Sequence, residues 1–276
     1  MSIQASGHLA KMDVQLANTV QYQLPLDDQR IALNDLIGHS IRLEYRGDIH
    51  CIHCGRRSKK SFSQGYCYPC FTKLPQCDTC IMSPEKCHFH HGTCRDPQWG
   101  EKYCFTDHFV YLANSSGVKV GITRGTQLPT RWIDQGATQG LPIFRVQTRY
   151  QAGLIEDCIR EHIADKTSWQ KMLKGNAETA DLAAIRDDLL IKSESGLELL
   201  EQEFGLQALQ RLYNETTTEI HFPVTRFPEK VKSFNLDKAP LVEGELQGIK
   251  GQYLILDTGV INIRKYTGYN IEFSAE

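Results

Sequence analysis

The chain has 276 residues, 41% of them apolar, and a formal net charge of −2 at neutral pH. That length sustains one large domain or two or three small ones, and the charge excludes a protein that coats nucleic acid by bulk positive charge, leaving room only for a local basic site. No apolar run of signal-peptide length opens the sequence and no run of roughly 18 apolar residues occurs in it, so a cytoplasmic protein without a membrane span is expected.

Residues 1–50 are predicted to form strands. Val20, Tyr22 and Leu24 alternate with polar residues, and so do Ile41, Leu43 and Tyr45. Residues 51–104 are rich in cysteine and turn formers and carry little periodicity. Ten cysteines in a chain without a secretory signal point to metal and not to disulfides. Cys51-x-x-Cys54 is followed, after a twelve-residue loop, by Cys67-x-x-Cys70. Each such turn brings two thiolates to one ion, and two turns complete the tetrahedron that zinc requires. Cys77-x-x-Cys80 opens a second set, completed by Cys87 and Cys94, or by His90 and Cys94. Spacing also leaves open a pairing of Cys51 and Cys54 with Cys77 and Cys80. Cys104 is left as a ligand or a structural thiol, and Cys158 falls on an apolar helical stripe as a small core residue. About two zinc ions are expected, both structural, because a zinc with four protein ligands has no open position for chemistry.

The loop between the first two cysteine pairs carries Arg56, Arg57, Lys59 and Lys60 and no acidic residue. Phe62, Tyr66, Tyr68 and Phe71 are interleaved with this charge, a combination that suits phosphate contacts and base stacking. The alternative is a loop whose charges serve solubility.

Residues 105–175 are predicted as strand, strand, helix, strand, helix. Phe109–Ala113 and Val118–Thr123 flank the turn Asn114-Ser115-Ser116-Gly117 and form a hairpin. Pro129 and Gly136 bracket a short helix that carries Arg131. Ile143–Tyr150 is a third strand, and a helix carrying Glu156 starts near Gly153. Residues 176–218 are helical and acidic, with a break expected at Gly196. Residues 219–276 return to strands. Leu33–Gly38 followed by Ile41 and Leu43 matches Leu246–Gly251 followed by Leu254 and Leu256, which suggests two copies of one β unit, pairing across the chain ends.

The central segment resembles the GIY-YIG nuclease superfamily. Tyr111 matches the tyrosine of the first motif, Val120-Gly121 the end of the second, Arg131 the arginine and Glu156 the metal-binding glutamate. Lys119 stands where the second tyrosine is usual, and Asp134 or Gln135 where a histidine often follows the arginine. The whole chain is also similar to an uncharacterised bacterial family in which a cysteine-rich segment precedes such a module. The resemblance implies magnesium or manganese at Glu156, a transition state stabilised by Arg131, a water oriented or deprotonated by Tyr111, and a phosphate held by Lys119.

The expected fold class is α+β: a zinc-ribbon-like segment, a GIY-YIG-like module, a helical segment and a small β domain built from the two ends. Three functions follow as expectations: a metal-dependent endonuclease on DNA or RNA, a nucleic-acid-binding module without cleavage, and a zinc-knuckle adaptor for a protein partner.

Overall fold

A computed structural model describes residues 3–163 and 168–276. Residues 1 and 2, at the start of the predicted N-terminal β segment, and 164–167, inside the predicted module, lie outside them. The fold is a mixed α/β one with several sheets. The chain begins with β1 (Ile3–His8), β2 (Asp13–Gln15), β3 (Gln21–Leu26), β4 (Gln29–Ala32) and β5 (Ser40–His50). The cysteine-rich stretch adds β6 (Arg57–Ser58), α1 (Tyr68–Lys73) and α2 (Pro97–Cys104), the two helices being linked by short 3-10 turns. The central module runs β7 (His108–Asn114), β8 (Val118–Arg124), α3 (Thr130–Asp134), β9 (Gln139–Val146) and α4 (Arg149–Ile159). It continues through α5 (Trp169–Leu173), α6 (Leu182–Lys192), α7 (Glu194–Phe204), β10 (Gln210–Arg211) and β11 (Thr218–Glu219). The chain closes with β12 (Leu241–Lys250), β13 (Tyr253–Leu256), β14 (Gly259–Asn262) and β15 (Tyr269–Ala275).

One sheet has the order β1-β15-β5-β12-β13-β14, with β6 paired to β5, so strands from the two chain ends alternate in it. A smaller sheet, β2-β3-β4, closes over the same core. A two-fold relation runs through this unit. The β3–β4 hairpin, the 3-10 turn Asn34–Leu36 and β5 correspond to the β13–β14 hairpin, the turn Ile263–Tyr266 and β15. The contacts are reciprocal. Gly38 N–H donates to the Leu246 carbonyl at 2.8 Å, and Gly268 N–H to that of Leu9 at 2.7 Å. Leu246 N–H in turn donates to His39 O, and Leu9 N–H to Tyr269 O. Gly38 and Gly268 both adopt φ +89°, a left-handed turn that a side chain would strain. The register differs from the one expected: Leu246 answers Leu9, not Leu33, and Leu33–Gly38 is a turn where Leu246–Lys250 is strand. Apolar residues and glycines recur at similar spacing around every hairpin, so several registers look alike in sequence.

The module sheet has the order β8-β7-β9-β10, with β11 also on β9, and β7 pairs antiparallel with both neighbours. Alternation along β7 divides the molecule. Val110 and Leu112 face a core with Ile155 of α4 and the helices α6 and α7, whereas Tyr111 and Ala113 join the core of the β unit. Asp134 at the end of α3 fixes this second junction. It accepts hydrogen bonds from Lys11 and Gln252, both at 2.8 Å, and Gln252 also bonds the backbone of Met12. The break between α6 and α7 falls at Ser193 and not at Gly196. Gly196 lies inside α7, where a Cβ would stand 2.5 Å from the Cys158 sulfur, so its missing side chain serves helix packing. Among the described residues no helix is long and apolar enough to cross a membrane.

Lys250 is fully buried on β12, donates to Gly175 O and Asn176 Oδ1, and lies over the rings of Phe222 and Phe227. Burial lowers its pKa from the usual 10.5 to about 8. Between those values the unfolded chain binds more protons than the native state, so stability rises with pH through that window, by about 3 kcal/mol across it. Urea denaturation of the wild type and Lys250→Met at pH 8 and pH 10.5 checks this. The wild type is expected to gain on the variant at the higher pH, and a constant difference would contradict it.

Candidate functional site

β5 runs directly into the first cysteine turn. Gly55, at φ +70°, closes it by donating its N–H to Cys51 O at 2.9 Å. Phe62 and Tyr66 exchange backbone hydrogen bonds across the loop tip, and Cys67 then opens α1 as its N-cap. This brings the sulfurs of Cys51, Cys54, Cys67 and Cys70 within 4.8 Å of one another. Burial opposes ionisation of Cys51, but N–H groups of Cys54, Cys67 and His53 face its sulfur and bring its pKa down to about 6. Cys70 is pushed up to about 12 by burial and by the neighbouring thiols of Cys67, Cys54 and Cys51. Thiolates so close together need a cation to remain ionised, and a four-cysteine cluster of this kind is compatible with structural zinc. Ile52 N–H closes the knuckle on Gly65 O, and the Ser61 hydroxyl, donating to Thr267 O, seats it on the β unit.

Arg56, Arg57, Lys59 and Lys60 are all exposed on this knuckle. The aromatics divide. Phe62 stacks on Phe71 at 5.7 Å and supports the fold, whereas Tyr68 is 60% exposed.

The second predicted set is not gathered in either expected combination. Cys77 lies toward the first cluster, where burial raises its pKa, Arg95 and the Ser63 hydroxyl counter that, and Cys51 adds to it. His90 turns away, with its ring against His91 and Tyr150. Cys80, Cys87 and Cys94 stay together around one small cavity. A further group, which spacing in the sequence does not reveal, ties β1 to β5: the Nε2 atoms of His8 and His50 lie 3.6 and 3.5 Å from one Asp48 oxygen.

In the module, the register sets Tyr111 opposite Gly121 and Ala113 opposite Lys119. The Tyr111 ring lies flat over Gly121, where a Cβ would meet the phenol oxygen at 2.7 Å. This explains a glycine in mid-strand. The phenol is fully buried and donates to Gln135 Oε1 at 3.3 Å. Burial raises its pKa; Arg131 and Gln135 at its oxygen work against this, and the charge of Glu156 adds to it. Tyr111, Arg131 and Glu156 thus come from β7, α3 and α4 to one neighbourhood, with Lys119 half-buried on the same face of the sheet as Tyr111. Burial thus favours the protonated phenol, the form that donates to Gln135. Asp134 is spent on the junction with the β unit, and Gln135 is the residue that meets the tyrosine.

Arg149 opens α4 behind the N-cap Thr148, whose hydroxyl accepts from Gln151 N–H in a capping box. Burial lowers the pKa of Arg149, and so do the charges of Arg131 and Arg124, while the thiols of Cys104 and Cys80 favour its charged form. Burial likewise lowers that of Arg264; Asp134 opposes this and Arg131 adds to it. Four guanidinium groups therefore share one region of the molecule.

No curated protein and no solved structure matches the chain, so the nuclease resemblance rests on the residues themselves. One family matches over residues 38–271, from the start of β5 to the middle of β15. The chain belongs to that family, described as protein of unknown function (DUF2797).

Proposed function

We propose that the protein binds nucleic acid, with the zinc knuckle presenting a basic loop and the module presenting the face around Arg131. The observation that carries this reading is the nearness of Arg131 to both Arg149 and Arg264, whose ionisation burial opposes first and the charge of Arg131 opposes further. Cationic groups held against their own repulsion are stabilised by a polyanion, and phosphodiesters supply one. The exposed Arg56, Arg57, Lys59 and Lys60 beside Tyr68 support the same reading, because backbone contacts and a stacking ring combine there.

Binding of labelled single-stranded and duplex DNA and RNA across a salt series tests it. Affinity is expected to fall steeply with salt. Neutralising Arg56, Arg57, Lys59 and Lys60 to glutamine is expected to reduce the logarithmic salt slope by about 0.9 for each duplex phosphate that the loop no longer neutralises. Absence of binding at low salt would overturn the proposal and favour a protein partner.

A second reading, phosphodiester hydrolysis, is favoured by Glu156 standing near Arg131 and Tyr111. A magnesium or manganese ion held there with several waters would neutralise charge on the scissile phosphate. Arg131 would stabilise the added charge of the transition state, and Tyr111 would hold Arg131 and Gln135 in place.

A further inference from the structure

Cys80, Cys87, Cys94 and Cys104 line a single cavity of about 20 Å³. A void of that size accommodates one water or one ion. We infer that these four cysteines form a second closed zinc site, with Cys104 as its fourth ligand and Cys77 excluded.

The ligands come from three kinds of local structure. Cys80 sits in the 3-10 turn Thr79–Ile81, and Cys87 ends the turn Pro84–Lys86. Cys94 lies just before Asp96, the N-cap of α2, and Cys104 is the last residue of that helix. Gly100 makes the approach feasible. A Cβ there would press the Phe89 ring at 3.1 Å and reach the Cys94 sulfur at 3.5 Å. None of these turns has an extensive apolar face of its own, and such segments fold on metal.

The surroundings fit a dianionic zinc tetrathiolate. Cys80 lies near Asp78, Cys87, Cys94 and Cys104, and Cys104 lies near Cys87 and Cys94 with Arg149 and Arg124 beyond them. A divalent ion offsets the mutual repulsion of thiolates gathered there. Arg149 is anchored next door by donating to the carbonyl of Ile81, the residue after Cys80, and stands as the compensating outer cation.

Asp78 and His88 are near Cys80 and close enough to share an ion with it, and His88 Nε2 lies 3.5 Å from Asp78 Oδ2. Asp78 accepts from Arg95 Nε at 2.9 Å and from Thr79 N–H at 2.6 Å. His88 Nδ1 meets the Thr93 hydroxyl at 2.8 Å. They serve as outer partners. The four cysteine sulfurs are not grouped within 4.8 Å of one another as those of the first cluster are, so loading the ion draws the four together, to about 2.3 Å from it. The metal would fix the end of the cysteine-rich segment just ahead of β7, which begins at His108.

The test is elemental analysis of the purified full-length protein together with residue-resolved thiol alkylation before and after chelation. About two zinc ions per chain are expected. Cys104 is expected to resist alkylation until chelator is added, together with Cys80, Cys87 and Cys94. Cys104→Ser is expected to lower the zinc content from about two to about one, and Cys77→Ser to leave it unchanged. Labelling of Cys104 at an unchanged rate, loss of an ion on Cys77→Ser, a wild type holding about one zinc, or iron in its place would each overturn the assignment. The wild-type labelling decides the matter even if Cys104→Ser fails to fold.

Discussion

Cys67→Ser is expected to lose the zinc of the first cluster and unfold the knuckle from Cys51 to Cys70. Cys67 is 2% exposed and caps α1, so the substitution removes a thiolate and disturbs the helix start together. Structural zinc in small modules contributes roughly 10–16 kcal/mol of apparent binding free energy, as large as the net stability of a whole domain at about 5–15 kcal/mol. The loop from Gly55 to Lys60 is almost entirely exposed, so apolar burial there does not replace the metal. Limited proteolysis with mass spectrometry is expected to show new cuts between residues 55 and 66, together with a loss of about one zinc. Cys158→Ser is the control, since its sulfur faces Ser193 and Gly196 far along the chain. A Cys67→Ser protein that keeps its zinc and its protease resistance would refute the metal role.

The second large effect concerns Arg131 and Glu156. If the module hydrolyses phosphodiesters, Arg131→Ala is expected to reduce metal-dependent cleavage about 10²–10³-fold, the range seen when one transition-state donor is removed. Glu156→Ala is expected to abolish the dependence on magnesium or manganese. Both variants retain the basic knuckle loop, so most of their salt-dependent binding survives. Tyr111→Phe is expected to cost less, and the pH–rate profile should show no limb from phenol ionisation, because burial keeps that group protonated. No cutting by the wild type, or equal cutting by Arg131→Ala and Glu156→Ala, would leave binding without catalysis as the function.

The first cysteine cluster was legible in the sequence because its ligands are local: two short turns and one loop determine the geometry. The second set was not, since Cys104 joins from the far end of a helix ten residues beyond Cys94, a distance that spacing rules do not cover. The order of strands and helices from His108 to Ile159 followed from alternation and from turn and cap residues. The depth of Tyr111 did not. An alternating strand shows two faces but not what covers each, and here the β unit buries the second one. The same holds for Gly196, whose role is set by Cys158 on another helix. The four arginines are scattered between residues 124 and 264, so their convergence is visible only in three dimensions.

The interleaved sheet also has a consequence in time. β5 lies between β15 and β12, both of which are made only after the knuckle and the module. As the chain leaves the ribosome, residues 40–48 of β5 therefore carry two open edges until β12 and β15 have been synthesised. The intervening knuckle and module can close on their own nearby contacts meanwhile, but an unpaired strand is the segment most prone to join a neighbouring chain. Ribosomes stalled before β12 should hold nascent chains whose knuckle resists protease while residues 40–50 remain open to it. Completing β15 is then the act that seals β1 and β5 as well as β15 itself.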